Sequence, residues 1–270
     1  MLFDQIGNWS EIKLEIIRKY AAAYSTILSK QRGLHHVYID AFAGPGVHIA
    51  KSTGTFVPGS PLNALNLNPP FLTYYLIDIE EDKISALRSH VGTRADVHLL
   101  AGDCNRVLLE TVFPQIQYKD FRRGLCLLDP YGLHLDWTVI AKAGAMGSIE
   151  IFLNFPVADM NRNVLWAHPE RVDPADVARM TRFWGDQSWK DTAYSTEPTL
   201  FGDSVEVKTG TNRKIAQAFR DRLRTAGNFT HVADPLPMKN SKGAIVYYLF
   251  FASQNQTGHT IVRDIFKKYR

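Results

Sequence analysis

Four short apolar runs, each ending on or just before an aspartate, constrain this chain more than any other feature. They are His36-Val37-Tyr38-Ile39-Asp40, Tyr74-Tyr75-Leu76-Ile77-Asp78, Val97-His98-Leu99-Leu100 with Asp103 shortly beyond, and Gly124-Leu125-Cys126-Leu127-Leu128-Asp129. Between them lie segments with helical character. Ser60-Pro61 supplies an N-cap and first-turn pair, Glu81 to Val91 carries Ile84 and Leu87 at helical spacing, and a further helix is expected over about Val107 to Phe113. A helix over Trp137 to Ala143 and a fifth strand over Ser148 to Phe155 continue the rhythm. Nearly unbroken apolar strands alternating with helices predict a mostly parallel sheet covered on both faces. In such sheets the ligand crevice lies outside the carboxyl ends of the strands, so the four acids fall on one rim.

The flanking segments are of other kinds. Trp9 to about Lys30 reads as a helix, with Ile12, Ile16, Ile17, Tyr20, Tyr24, Ile27 and Leu28 forming a stripe. Asn8 with Glu11 suggests a capping-box start, and Gly33 a stop, so residues 1–33 read as an N-terminal helical extension. Residues 156–212 break the strand–helix alternation. They hold Met160-Asn161-Arg162-Asn163, a helix over Pro174 to Trp184 and a polar loop around Gly202, and are expected to form an insertion or substrate-facing lobe within one domain spanning 1–270. A helix over Lys214 to Arg224 follows. His231 to Pro237 and Ala244 to Ala252 then read as two strands joined by the polar turn Met238 to Gly243, with a last helix over Thr260 to Tyr269. Five parallel strands closed by a C-terminal antiparallel pair predict an α/β, Rossmann-like class I methyltransferase fold.

Composition narrows the setting. Hydrophobic residues make up 45% and charged residues 21%, an ordinary globular balance. No run approaches the roughly 18 apolar residues that a membrane helix needs, and the start of the chain lacks the layout of a signal peptide, so a cytoplasmic protein with no membrane association is expected. Cys104 and Cys126 are the two cysteines, too few for a disulfide framework or a zinc site, and no metal is expected. The net charge of +4 is compatible with a nucleic-acid partner. The basic groups Arg220-Asp221-Arg222-Leu223-Arg224 and Lys267-Lys268-Tyr269-Arg270 are read as solvated helix faces.

The first strand runs into Asp40-Ala41-Phe42-Ala43-Gly44-Pro45-Gly46, where two glycines permit tight turns and close backbone approach. The third glycine of a dinucleotide fingerprint is missing, and the helix at Ser60 is too remote to hold a pyrophosphate. A carboxylate before the loop suits a cationic ligand. S-adenosylmethionine is therefore the expected cofactor, with Asp78 accepting from ribose hydroxyls and Asp103 from the adenine amine. Asp40, Phe42, Gly44, Gly46, Ile79 and Cys104 complete the expected cofactor set. A nicotinamide-linked oxidoreductase using Tyr131 or His134 is a weaker alternative.

Leu128-Asp129-Pro130-Tyr131-Gly132 carries the most specific chemistry. An exocyclic base amine is a poor nucleophile, because its lone pair is delocalised into the ring. A carboxylate and a backbone carbonyl that accept its two hydrogens favour a pyramidal nitrogen, and an aromatic face holds the line of attack. Asp129, Pro130 and Tyr131 are the catalytic candidates on this reading; a plain β-turn is the structural alternative. The segment resembles the Asp/Asn-Pro-Pro-Tyr/Phe motif of amino-methyltransferases, and more closely the Asp-Pro-Phe-Gly variant of tRNA guanine dimethyltransferases. Only one proline follows Asp129, a departure from the amino-methyltransferase pattern. Asn154, at the end of the fifth strand, is expected to offer an amide to the substrate, whereas Phe155 serves either pocket or packing. Lys239 and Lys242 are expected to hold a nucleic-acid backbone.

Several segments together resemble the three-Cys-motif partner protein family: Trp9-Ser10-Glu11-Ile12-Lys13, Tyr38 to Gly46, Leu127 to Gly132, Ile151 to Pro156, Phe183-Trp184-Gly185 and Ser241-Lys242-Gly243. The resemblance spans nearly the full length. It implies a partner encoded beside a radical-SAM-like protein bearing three cysteines. Two functional classes follow, a methyltransferase of nucleic-acid base amines and a non-catalytic docking partner built on the same fold.

Overall fold

The computed structural model describes residues 4–198 and 204–270. Its centre is an eight-stranded sheet. Strands β1 (His35–Asp40), β2 (Thr73–Asp78), β3 (Val97–Ala101), β4 (Arg122–Leu128) and β5 (Ile149–Phe155) are parallel and lie in the order β3-β2-β1-β4-β5. β6 (His231–Val232), β7 (Leu236–Lys239) and β8 (Ile245–Ser253) complete it; β8 runs antiparallel to β5, and β6 and β7 both pair with its other edge. This is the class I methyltransferase arrangement that the strand pattern predicts.

Strand periodicity explains the two cores. Val37 and Ile39 face one hydrophobic cluster and Tyr38 the other; Cys126 and Leu128 join the first, Leu125 and Leu127 the second. The second cluster is covered by α1 (Asn8–Leu28), α2 (Ser60–Leu65), α3 (Glu81–Val91) and, after β8, α10 (Gln256–Lys267). The first is covered by α4 (Cys104–Val107), α5 (Trp137–Met146), α6 (Val157–Asn163), α7 (Pro174–Trp184), α8 (Trp189–Ala193) and α9 (Asn212–Thr225). Phe219 of α9 meets Trp137, Phe155, Phe183, Trp184 and Phe250, so residues 156–212 are fastened to the sheet by aromatic packing. Each such ring contributes roughly 1.5–3 kcal/mol by burial alone. The same segment carries a hairpin of Tyr194–Pro198 with Ser204–Lys208. The loop expected around Gly202 lies outside the described residues.

Local differences from the sequence reading have physical causes. Gly7 is the N-cap of α1 and no side chain caps it, so Asn8 opens the helix rather than capping it. α1 ends at Leu28; Gly33 sits five residues later in the connecting loop, with φ at +76°. The helix expected over Val107 to Phe113 is interrupted: α4 passes into a wide π turn over Leu108–Val112 and a tight turn over Phe113–Gln115, where Pro114 ends regular pairing. The strand expected over His231 to Pro237 is split into β6 and β7, and Met238 and Lys239 belong to the strand rather than to the turn. Among the described residues no helix is long and apolar enough to cross a membrane.

Candidate functional site

The carboxyl ends of β1 to β5 bring the sequence-selected residues to one rim. Asp40 is fully buried, turned into its own loop, where it accepts from the Phe42 N–H at 3.2 Å and from the Tyr38 hydroxyl at 3.4 Å. Burial pushes its carboxyl up to about 7; the Ser60 hydroxyl and the Phe42 amide pull the other way. Asp40 lines neither rim cavity, so it organises the loop from behind rather than facing a ligand directly. Asp78 is buried and bridges two backbones, accepting from Gly44 N–H at 2.9 Å and from Glu80 N–H at 2.9 Å. A carboxylate offers about four acceptor positions, so two remain for a ligand.

The two glycines of the loop do different work. Gly44, with φ at +63°, lines a cavity, and a Cβ there would meet only the His48 ring, at 4.0 Å. Gly46, with φ at +90°, lines neither cavity; a Cβ there would come within 2.8 Å of Leu87. Its role is close packing of the loop on α3 rather than contact with a ligand.

A cavity of about 260 Å³ opens beside the loop, with Phe42, Asp78, Ile79, Asp103 and Cys104 in its wall, all members of the expected cofactor set. Ile79 is 71% exposed and gives the wall an apolar side chain. Asp103 caps α4 by accepting from Arg106 N–H at 3.1 Å on one carboxylate oxygen, which leaves the other for a ligand in this cavity. Burial, then the charge of Asp103, pushes the Cys104 thiol up to about 12, so it packs as a small apolar group. The other cysteine, Cys126, is likewise buried and free.

A second cavity of about 390 Å³ adjoins the first, and Phe42 and Tyr131 line both. Its floor holds Asp129, Pro130 and Asn154. Asn154 Nδ2 donates to Asp129 Oδ1 at 2.7 Å, while Asn154 Oδ1 is buried without a partner. Lys13 of α1 forms an ion pair with Asp129 Oδ2, and only 9% of its side chain is exposed. The Tyr131 hydroxyl donates to Asp4 at 2.8 Å, and Lys83 lies 5.3 Å from the Tyr131 ring centre. Phe155 is fully buried among Phe183, Phe219 and Phe250, which settles its role as packing. Lys239 and Lys242 are exposed and stand outside the cavity wall. They flank the turn into β8, and because Tyr248 pairs with Phe155 that turn lies on the same sheet edge as the site.

Lys13, Asp4 and Lys83 were not selected from the sequence. For the two lysines a signal exists. Lys13 precedes Ile16, Ile17 and Tyr20 on the buried stripe of α1, and Lys83 precedes Leu87 and Val91 at spacings of four and eight. A lysine on the apolar face of a helix requires a buried partner. Asp4 carries no comparable signal.

The buried acids set a pH dependence. Glu150 on β5, held by the Tyr20 and Ser253 hydroxyls, is pushed by burial from 4.5 to about 7. Its folded form binds the proton more tightly than the unfolded chain does, so its contribution is complete below about pH 4.5 and is lost as pH rises through about 7. Glu150→Gln, compared with the parent by denaturant titration, is expected to gain roughly 1–3 kcal/mol in relative stability between pH 5 and pH 8. A difference that does not change with pH contradicts this.

No protein-family model matches the chain, and no curated protein matches it. Among solved structures, it is similar to protein LPL1258 of Legionella pneumophila, assigned to family DUF519. The TM-score is 0.54 at 12% identity, over 97% of this chain and 92% of that one. A structure described as a putative S-adenosylmethionine-dependent methyltransferase from Listeria monocytogenes aligns with a TM-score of 0.40 and 14% identity, over 87% of this chain and all of that one. The second is too remote to carry an argument; the first supports the fold alone. Strand order and strand direction together make this a Rossmann-like class I methyltransferase fold.

Proposed function

We propose that the chain is an S-adenosylmethionine-dependent methyltransferase acting on an exocyclic amine of a nucleic-acid base. The observation that carries this reading is the pair of adjoining cavities sharing Phe42 and Tyr131: carboxylates at strand ends line one, and Asp129-Pro130-Tyr131 lines the other. The residues present fit the cofactor. Asp78 has spare acceptor capacity for ribose hydroxyls, Ile79 offers an apolar face to adenine, and Asp103 keeps an oxygen for the adenine amine. When bound, S-adenosylmethionine supplies an electrophilic methyl group.

The chain's own residues prepare the acceptor. Asp129 and the Pro130 carbonyl take the two amine hydrogens, and Asn154 Oδ1, a buried acceptor without a protein partner, lines the same cavity. Lys13 and the Asn154 amide hold the Asp129 carboxylate in one orientation. The Tyr131 ring, fixed through Asp4, stacks on the base. A base must leave its stack to enter such a cavity, so single-stranded or extruded nucleotides are the expected substrates. Incubation with labelled S-adenosylmethionine and separate pools of tRNA, rRNA and DNA tests this. Label in one pool as an N-methylated base supports the reading, and transfer to none contradicts it.

Lys239 and Lys242 are assigned to the substrate backbone. Replacing both with alanine is expected to reduce the slope of log affinity against log salt by about one to two while leaving cofactor affinity unchanged. An unchanged salt slope removes them from the interface.

A second reading follows from one observation: both oxygens of Asp129 already have protein partners. On that reading the fold serves as a docking partner, beside the three-cysteine radical-SAM-like protein that the family resemblance implies. Cofactor binding without transfer to any substrate favours it.

A further inference from the structure

A cavity of about 580 Å³ lies at the amino ends of β4 and β5, on the opposite edge of the sheet from the site above. Its size falls in the range of small-molecule sites. Its wall carries an acid and a base that do not meet each other. Glu150 accepts from the Tyr20 hydroxyl and from the Ser253 hydroxyl at 2.9 Å, and among the described residues no lysine, arginine or histidine pairs with it. Arg123 donates only to backbone carbonyls, those of Tyr118 at 3.2 Å and its own neighbour Arg122 at 2.8 Å, and its guanidinium lies 3.5 Å from the Tyr118 ring centre. No carboxylate among the described residues answers it.

Uncompensated charges at a cavity wall are costly, and a structure normally pairs them. Here the packing holds them apart. Gly258 at the start of α10 allows this geometry, because a Cβ there would come within 2.5 Å of the Tyr20 hydroxyl and 3.0 Å of Glu150. Tyr24, Ile27 and Tyr118 add aromatic and aliphatic wall to the same cavity, and Tyr118 is 59% exposed. A separated acid and base with apolar surface in the same wall are complementary to a ligand bearing the reverse charges on an apolar body.

We propose that this cavity binds a small zwitterion, its amine on Glu150 and its acid on Arg123, with an apolar or aromatic body against Tyr24 and Tyr118. The site is separate from the methyltransferase reading and does not depend on it.

The test uses the full chain and three probes followed by protein-observed NMR titration: 4-(aminomethyl)benzoate, benzylamine, and 4-methylbenzoate. The zwitterion is expected to bind at least tenfold more tightly than either single-charge probe, with shifts confined to the cavity residues. Glu150→Gln is expected to weaken the zwitterion and benzylamine tenfold or more while sparing 4-methylbenzoate. Arg123→Gln should do the reverse, and both variants should retain the parent's affinity for S-adenosylmethionine. Equal binding of all three probes, no binding of the zwitterion, or indifference to both substitutions overturns the proposal. The two substitutions lie on different strands, so a folding defect in one leaves the other as a test.

Discussion

Asp129→Ala is expected to abolish methyl transfer and also to destabilise the protein by about 3–5 kcal/mol, because it strands a buried ammonium. Lys13 is 7% exposed and has Asp129 as its carboxylate partner, so removing the acid leaves a mostly buried ammonium without its counter-charge. Two effects are thus combined in one variant and must be separated. Lys13→Met with Asp129→Ala removes both charges and keeps apolar volume on α1. The double variant should recover most of the lost thermal stability yet remain inactive, since the group that orients the amine is still absent. A double-mutant cycle measured by thermal melting isolates the coupling. Additive effects of the two substitutions contradict the buried pair, and activity in the double variant contradicts the role of Asp129.

Asp78→Ala is expected to weaken S-adenosylmethionine binding by roughly 1.5–3 kcal/mol, about ten- to a hundredfold, through loss of a charge-assisted hydrogen bond. The structure adds a second consequence. Asp78 also accepts from Gly44 N–H, so the alanine variant releases the glycine loop from the end of β2. Asp78→Asn separates the contributions, because its carbonyl oxygen can still accept from Gly44 while the charge is lost. Calorimetry on both variants should place the asparagine form between the parent and the alanine form. Parent-like affinity in Asp78→Ala removes this residue from the cofactor assignment.

What was legible in the sequence was what repeats. Nearly unbroken apolar runs gave β1, β2 and β4, and the aspartates at or just beyond their ends marked the rim. α7 was readable to the residue because Asp173 caps it, Pro174 opens it and Gly185 closes it in the left-handed region. The wide turn after Val107 was not readable, because Leu108, Val112 and Phe113 keep a helix-like spacing while the backbone departs from the α form. The glycine loop was readable as a loop, but the duty of each glycine was not: Gly46 answers to Leu87 from a helix about forty residues later. The pairing of Lys13 was hidden for the same reason. Its partner is 116 residues away, and only the placement of α1 against β4 brings the two together.

The first requirement of the two-cavity rim is the cofactor. Calorimetric titration of the purified protein with S-adenosylmethionine, with NAD as a parallel control, tests it most directly. Saturable binding of S-adenosylmethionine, weakened in Asp78→Ala, with no heat from NAD, is the predicted result. Binding of NAD, or of neither compound, contradicts the assignment of the cavity beside the glycine loop and makes the docking partner the reading to pursue.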